Sequence, residues 1–390
     1  MTNGPQIVHV LVDDKFIDVA IREFEAVTPG RHRYVMPGRP RELKYVSHSA
    51  VEFVRRRHLL SLLNGRGCAA IVFHSLDERA VRLLPKLRAG RPVTWLGWGF
   101  DYYDAMLSRA LPEGPLLPLT RALVAEQASC PDASAPKRRW RWPWQRRADG
   151  PITAAHLRRV DYFSPVLEAE HRMACELNPG FEPEYLPWNY GVAEDDYGAR
   201  PFEEMEEPGP DILVGNSATP TNNHVEVFEL LSRSRIADDR RVVVPLSYGD
   251  EWYRDRVLER GRELLGDRFV PLTDFLPADE YRRILRDCGH VFLNHIRQQA
   301  VANACIGLLG GSRVYVNERS PVHTWLRELG AHMGTLYQDG DSLMITERPL
   351  ESLSLAQRRA NYDAMLGFVG REAKMAKTRD LTRVLLGEAS

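Results

Sequence analysis

The stretch VFLNHIRQQAVANACIGLLGGSRVYVN, residues 291–317, reads as an apolar strand, a polar turn, a small-residue helix ending in Gly310-Gly311, and a second strand. Both strands are apolar and β-branched, as buried strands are. Arg297, Gln298 and Gln299 fall between the first strand and the helix. A solvent-facing loop would not need that arrangement, whereas an anion held against a helix N-terminus would.

The same rhythm extends outward on both sides. Upstream lie a strand in DILVGNS (211–217), a helix near 223–235, a strand in RRVVVPLS (240–247), a helix to about 265, a strand in RFVPL (268–272) and a helix over 278–287. Further upstream, IVHVLVDD (7–14), CAAIVFHS (68–75) and PVTWLGWGFDYY (92–103) read as strands, and AVEFVRRRHLLSLLNGRG (50–67) has helical spacing. VDYFSPVLEAEHRMACEL (160–177) reads as a strand followed by a helix. Strands alternating with helices predict α/β architecture with parallel sheets covered on both faces. The acidic, Pro- and Gly-containing run EDDYGARPFEEMEEPGPD (194–211) has no apolar period and predicts a crossing between domains. The expected division is an N-terminal domain over 1–195, a C-terminal domain over 211–365 and a helical tail over 366–390. A length of 390 residues agrees, since single cores stop growing at ~250–300 residues.

Bulk properties remove several function classes. A formal net charge of -1 gives no global electrostatic case for nucleic acid. Five scattered cysteines without a CxxC suit a reducing cytosol and argue against a metal cluster. No apolar run approaches the ~20 residues that span a bilayer, and the N-terminus lacks the regions of a signal peptide, so a cytoplasmic protein is expected.

Chemistry is expected at strand ends. Gly215 follows a buried strand, and Asn216, Ser217, Thr219 and Thr221 then offer amide and hydroxyl groups before a helix. Such a loop can hold a phosphate, or it can be a polar β–α turn with an N-cap. Arg297 can bind phosphate oxygens bidentately, and Gln298 and Gln299 suit the hydroxyl or acetamido groups of a sugar. Tyr248 ends another strand and could stack on a ligand or simply close a tight turn. In the first half, Asp13, Asp14, His74 and Asp101 stand at strand tips, from which a general base for a hydroxyl would be drawn. No Ser-His-Asp signature, GxSxG, GxGxxG, P-loop or HExxH occurs. A diphosphate neutralised by Arg297 and a helix end needs neither metal nor cofactor.

One segment departs from the composition of the rest. PKRRWRWPWQRR (136–147) has six basic residues and three tryptophans, the ingredients of an anionic-headgroup site. A nucleic-acid contact or a solvated insertion remains open for it.

The segments ILVGNS…NNH, VVVPLSY, DEY…LRDC, IRQQ and VNERSP resemble the TDP-N-acetylfucosamine:lipid II N-acetylfucosaminyltransferase family, glycosyltransferase family 56. HVLVDD, FHS and WGFDYY agree in order in the first half. The resemblance implies a GT-B fold of two Rossmann-like domains and a metal-independent transferase. Its donor would be a nucleotide-sugar, dTDP-linked, such as 4-acetamido-4,6-dideoxygalactose. The implied acceptor is a polyprenyl-diphosphate-linked glycan of surface polysaccharide synthesis, either enterobacterial common antigen or an O-antigen-like polymer. It implies donor contacts from Gly215, Asn216, Ser217, Thr219, Asn222, His224, Tyr248, Phe275, Arg297, Gln298, Gln299 and Asn317. A base would come from Asp101, Asp14 or His74, and the protein would sit at the inner face of the membrane through 136–147. A GT-B-like sugar-nucleotide epimerase would share the fold but consume donor without acceptor. A non-catalytic lipid-glycan binding protein would show no nucleotide-dependent stabilisation.

Overall fold

The computed structural model describes residues 4–129, 154–233, 240–338, 342–343 and 350–388. The segment 136–147 lies outside the described residues. In chain order come β1 (Gln6–Val10), α1 (Ile17–Val27), β2 (His32–Pro37), β3 (Val51–Val54), α2 (Arg56–Leu63), β4 (Cys68–His74), α3 (Glu78–Leu83) and β5 (Val93–Leu96). Next are α4 (Pro118–Ser129), α5 (Ala154–Leu157), β6 (Tyr162–Ser164), α6 (Glu168–Leu177) and β7 (Glu184–Tyr185). Then follow β8 (Ile212–Val214), α7 (His224–Arg233), β9 (Val242–Pro245), α8 (Glu251–Leu265), β10 (Phe269–Leu272), α9 (Ala278–Asp287) and β11 (His290–Leu293). The chain continues through α10 (Val301–Leu309), β12 (Arg313–Val316), α11 (Pro321–Glu328), β13 (Gly334–Thr335), α12 (Leu355–Val369) and α13 (Arg371–Leu386).

These elements form two compact units. The first comprises Met1–Pro112, Arg141–Gly191 and Arg371–Ser390, and the second Glu113–Trp140 and Val192–Gly370. The division differs from the linear one expected from sequence, because α4 joins the second unit and α13 the first. Side-chain chemistry explains both. Glu226 of α7 accepts bonds from the Thr120 amide (2.9 Å) and hydroxyl (2.6 Å) at the start of α4. Leu381 and Leu385 of α13 are buried with Ile7, Ile21 and Phe24 of the first unit. Trp188 Nε1 donates to Thr378 Oγ1 at 3.0 Å. Lys374, 1% exposed, lies 3.3 Å from Glu23 and 3.9 Å from the Trp188 ring centre.

Unit 1 has one parallel sheet in the order β3-β2-β1-β4-β5-β6-β7. Residues 50–67 are not one helix: Val51–Val54 is a strand paired with β2, and α2 begins at Arg56. The alternation Val51-Glu52-Phe53-Val54 has the period of a strand, and Arg33 of β2 binds Glu52 beside it. Unit 2 repeats the architecture with a parallel sheet ordered β10-β9-β8-β11-β12-β13. Strand order reverses beside β1 and β4 in the first sheet and beside β8 and β11 in the second. Loops leaving these strands diverge to opposite sides of the sheet, which opens a crevice at their carboxyl ends.

Candidate functional site

In unit 2 the loops at that crevice converge. The β8 loop starts at Gly215 with φ +70°, a conformation open to glycine. A methyl there would sit 2.6 Å from Asn222 Oδ1 and 2.8 Å from His224 Nε2. Asn222, 0% exposed, holds the loop together. Its Oδ1 accepts from the Asn216 amide at 2.9 Å, and its Nδ2 donates to the carbonyls of Ser217 and Thr219, both at 3.0 Å. His295 Nε2 lies 2.9 Å from the same Oδ1, so that nitrogen carries the proton. Ser217 and Thr219 are buried and bond each other at 2.7 Å. Burial holds His224 down to about 3 and drives His295 well below its ordinary value, so both rings are neutral.

The β9 loop is fastened to this one. The Ala218 amide donates to the Tyr248 carbonyl and the Asp250 amide to the Ala218 carbonyl, both at 2.8 Å. Gly249 permits the approach, since a Cβ there would collide with the Ala218 carbonyl. From the β11 loop, Gln299 Nε2 donates to Asn216 Oδ1 at 2.9 Å, while its Oε1 accepts from Thr221 Oγ1 at 2.6 Å and Arg297 Nη2 at 3.3 Å. Asn216 Nδ2 donates to Tyr248 OH at 3.2 Å. Ala300, which precedes α10, has φ +58°, a strained backbone of the kind concentrated at functional sites.

Asn216, Thr221, Tyr248, Arg297 and Gln299 therefore form one polar cluster from three strand ends. Other expected donor contacts lie elsewhere. Gly215, Ser217, Thr219, Asn222 and His224 support the loop from within. Gln298 is buried, and Asn317 is buried with its Nδ2 donating to Asn294 Oδ1 at 3.0 Å. Phe275 is 79% exposed in the loop after β10, and Tyr248 is 49% exposed. Gly307 brings α10 onto its own sheet, since its Cβ would lie 3.2 Å from Val291 and 3.3 Å from Val314. His295 was missed in the sequence, although it lies two residues before Arg297 and inside the stretch read first.

The first-half candidates are also separated by role. Asp101 is buried and accepts from Trp95 Nε1 (2.7 Å) and from the amides of Trp98 (2.8 Å) and Leu76 (3.2 Å). Burial raises its carboxyl, and these bonds oppose the shift. Asp13 accepts from the amides of Lys44, Tyr45 and Val46, fastening a loop. His74 is buried, with Nε2 2.9 Å from His9 Nδ1 and Nδ1 2.7 Å from Tyr190 OH. The chain continues from His9 Nε2 to His32 Nδ1 at 3.0 Å and from His32 Nε2 to Thr28 Oγ1 at 2.7 Å. Asp14 accepts from the Phe16 amide at 3.1 Å, and burial raises its carboxyl.

Two parallel-sheet units, each with its loops gathered at the carboxyl edge, have the architecture of the GT-B fold. Solved structures share the fold. Sucrose-phosphate synthase of Thermosynechococcus elongatus aligns over 99% of this chain and 100% of its own, at 12% identity and a TM-score of 0.61. A glycosyltransferase of Rickettsia africae aligns over 99% and 100%, at 9% identity and a TM-score of 0.61. The lipopolysaccharide outer core galactosyltransferase WaaB aligns over 98% and 100%, at 9% identity and a TM-score of 0.58. Residues 195–348 match the family model of the 4-alpha-L-fucosyltransferase glycosyl transferase group 56.

Proposed function

We propose that the protein transfers a dTDP-linked deoxy-acetamido sugar to a polyprenyl-diphosphate-linked glycan during surface polysaccharide synthesis. The observation that carries this reading is the polar cluster of unit 2, which lies inside the group 56 match. Arg297 takes the diphosphate of the donor, and its fixed charge gains most when the leaving group becomes more anionic in the transition state. Gln299 and Asn216 orient the sugar, and the half-exposed Tyr248 offers a face for the base. Unit 1 receives the acceptor. Asp14, whose raised carboxyl lies nearer neutrality than an ordinary aspartate, draws the proton from the acceptor hydroxyl.

Work at the inner membrane face follows from such an acceptor. No helix among the described residues is long and apolar enough to cross a membrane. Attraction to the surface is assigned to 136–147 in this reading.

The test is a thermal-shift series with dTDP, UDP and GDP, followed by steady-state kinetics of Arg297→Ala. Selective stabilisation by dTDP is expected, with kcat/KM reduced on the order of 10²-fold in the variant. No stabilisation by any nucleotide, or wild-type turnover in Arg297→Ala, removes the assignment.

A further inference from the structure

Unit 1 has its own crevice at the carboxyl edge, at the same topological place as the polar cluster of unit 2. A cavity of about 360 Å³ opens there between the ends of β1, β2 and β4 and the helices α2 and α3. Its wall is apolar, with Val12, Met36, Leu59 and Phe73 among the lining residues, and three arginines line it as well: Arg41, Arg56 and Arg79.

Charge around the cavity is not balanced. Two carboxylates line it, and both are committed to backbone. Asp13 accepts three amides of the loop at 44–46. Asp77 caps α3 by accepting from the Ala80 amide at 2.7 Å. The three guanidiniums are exposed, and among the described residues none has a carboxylate at ion-pair distance. Arg41 is held over the Phe53 ring at 5.7 Å. Three guanidiniums against two carboxylates leave the lining positive, with Arg41 also acting on Asp13, and a positive rim on a concave apolar wall favours a ligand with an anionic head and an apolar body.

Backbone geometry adds an independent sign. Ser75, at the end of β4, lines the cavity with φ +75°, and its amide donates to the Leu96 carbonyl at 3.0 Å. A non-glycine residue there costs of order 1–3 kcal/mol, and such strain concentrates at functional positions.

We infer that this cavity binds the acceptor through an oxyanion joined to an apolar body, with Arg41, Arg56 and Arg79 as the anion contacts. The inference rests on the reading that unit 1 receives the acceptor. The oxyanion is a phosphate or a sugar carboxylate, both of which suit a guanidinium fork.

The experiment is calorimetric titration of the full chain with three probes sharing one tail: octyl phosphate, octyl glucuronide and octyl glucoside, each below its micelle concentration. At least one anionic probe is expected to bind about tenfold or more tightly than the neutral glucoside. The tighter of the two anions identifies the source of the charge. The triple variant Arg41→Gln/Arg56→Gln/Arg79→Gln is expected to lose that preference. If the triple variant fails to fold, Arg56→Gln alone should weaken the anionic probe several-fold. Equal binding of charged and neutral probes, unchanged binding by the variants, or no binding at all overturns the inference. A dTDP thermal shift on the same samples separates the two readings. Nucleotide stabilisation without anion binding rejects this cavity alone, and anion binding without nucleotide stabilisation rejects the donor assignment alone.

Discussion

Replacing Asn222 with alanine probes whether one buried amide builds the donor loop. The side chain serves the Asn216 amide, the Ser217 and Thr219 carbonyls and His295 Nε2, all at 2.9–3.0 Å. Alanine leaves three backbone groups and one imidazole without that partner in a site shielded from solvent. Each orphaned buried group costs roughly 1–3 kcal/mol, and relaxation of the loop recovers part of the sum. The expected loss is therefore about 3–5 kcal/mol, measured as the shift in urea midpoint followed by far-UV circular dichroism. Hydrogen exchange should rise across 215–223 in the same variant. Asn222→Asp is a sharper control, because it keeps shape while turning an oxygen toward the Ser217 and Thr219 carbonyls. It should cost nearly as much as alanine. A loss below about 1 kcal/mol for alanine, with exchange unchanged over the loop, would refute the reasoning.

Lys374→Met leaves the buried Glu23 carboxylate without its ammonium partner, with Arg22 standing 3.8 Å away, so unit 1 should lose about 3 kcal/mol in denaturant titration. The double variant with Glu23→Gln should recover most of it, and no recovery would mean that packing rather than charge dominates. Burial lowers His32 to about 4 and His74 and His224 to about 3, all below the unfolded value of about 6.5. Below pH 6.5 the unfolded chain then binds more protons, and stability falls by up to ~1.4 kcal/mol per pH unit for each imidazole until the folded values are passed. Urea midpoints should be level above pH 6.5 and drop steeply toward pH 5, and a flat profile across that window would contradict the neutral-imidazole assignment. For the segment at 136–147, changing Trp140, Trp142 and Trp144 to serine should reduce co-sedimentation with anionic vesicles. Equal sedimentation of variant and wild type removes the indoles from membrane attachment.

The buried strands of both units were legible because parallel strands covered on two faces appear as continuous apolar runs, as in Val242–Pro245 and Cys68–His74. The short edge strand Val51–Val54 was not, since its four residues run straight into helical spacing at Arg56. Arg297 and Gln299 stood out through their place between strand and helix. Asn222 entered only as a donor contact implied by the family resemblance and His295 not at all, because their supporting roles depend on loops brought together from positions 73 residues apart. The cavity of unit 1 was equally hidden. Arg41, Arg56 and Arg79 carry no shared local pattern, and only the order of the strands makes them neighbours.

The assignment of α13 to unit 1 bears on how the protein is made. Synthesis proceeds from the N-terminus, and domains ordinarily close as soon as their sequence is out of the ribosome. Here β1, α1 and β2 emerge before every element of unit 2, yet Leu381 and Leu385 complete the hydrophobic layer over Ile7, Ile21 and Phe24. Unit 2 has all its elements once Gly370 has emerged. The unit begun first is therefore closed only after the other, and its apolar face stays uncovered while all of unit 2 is made.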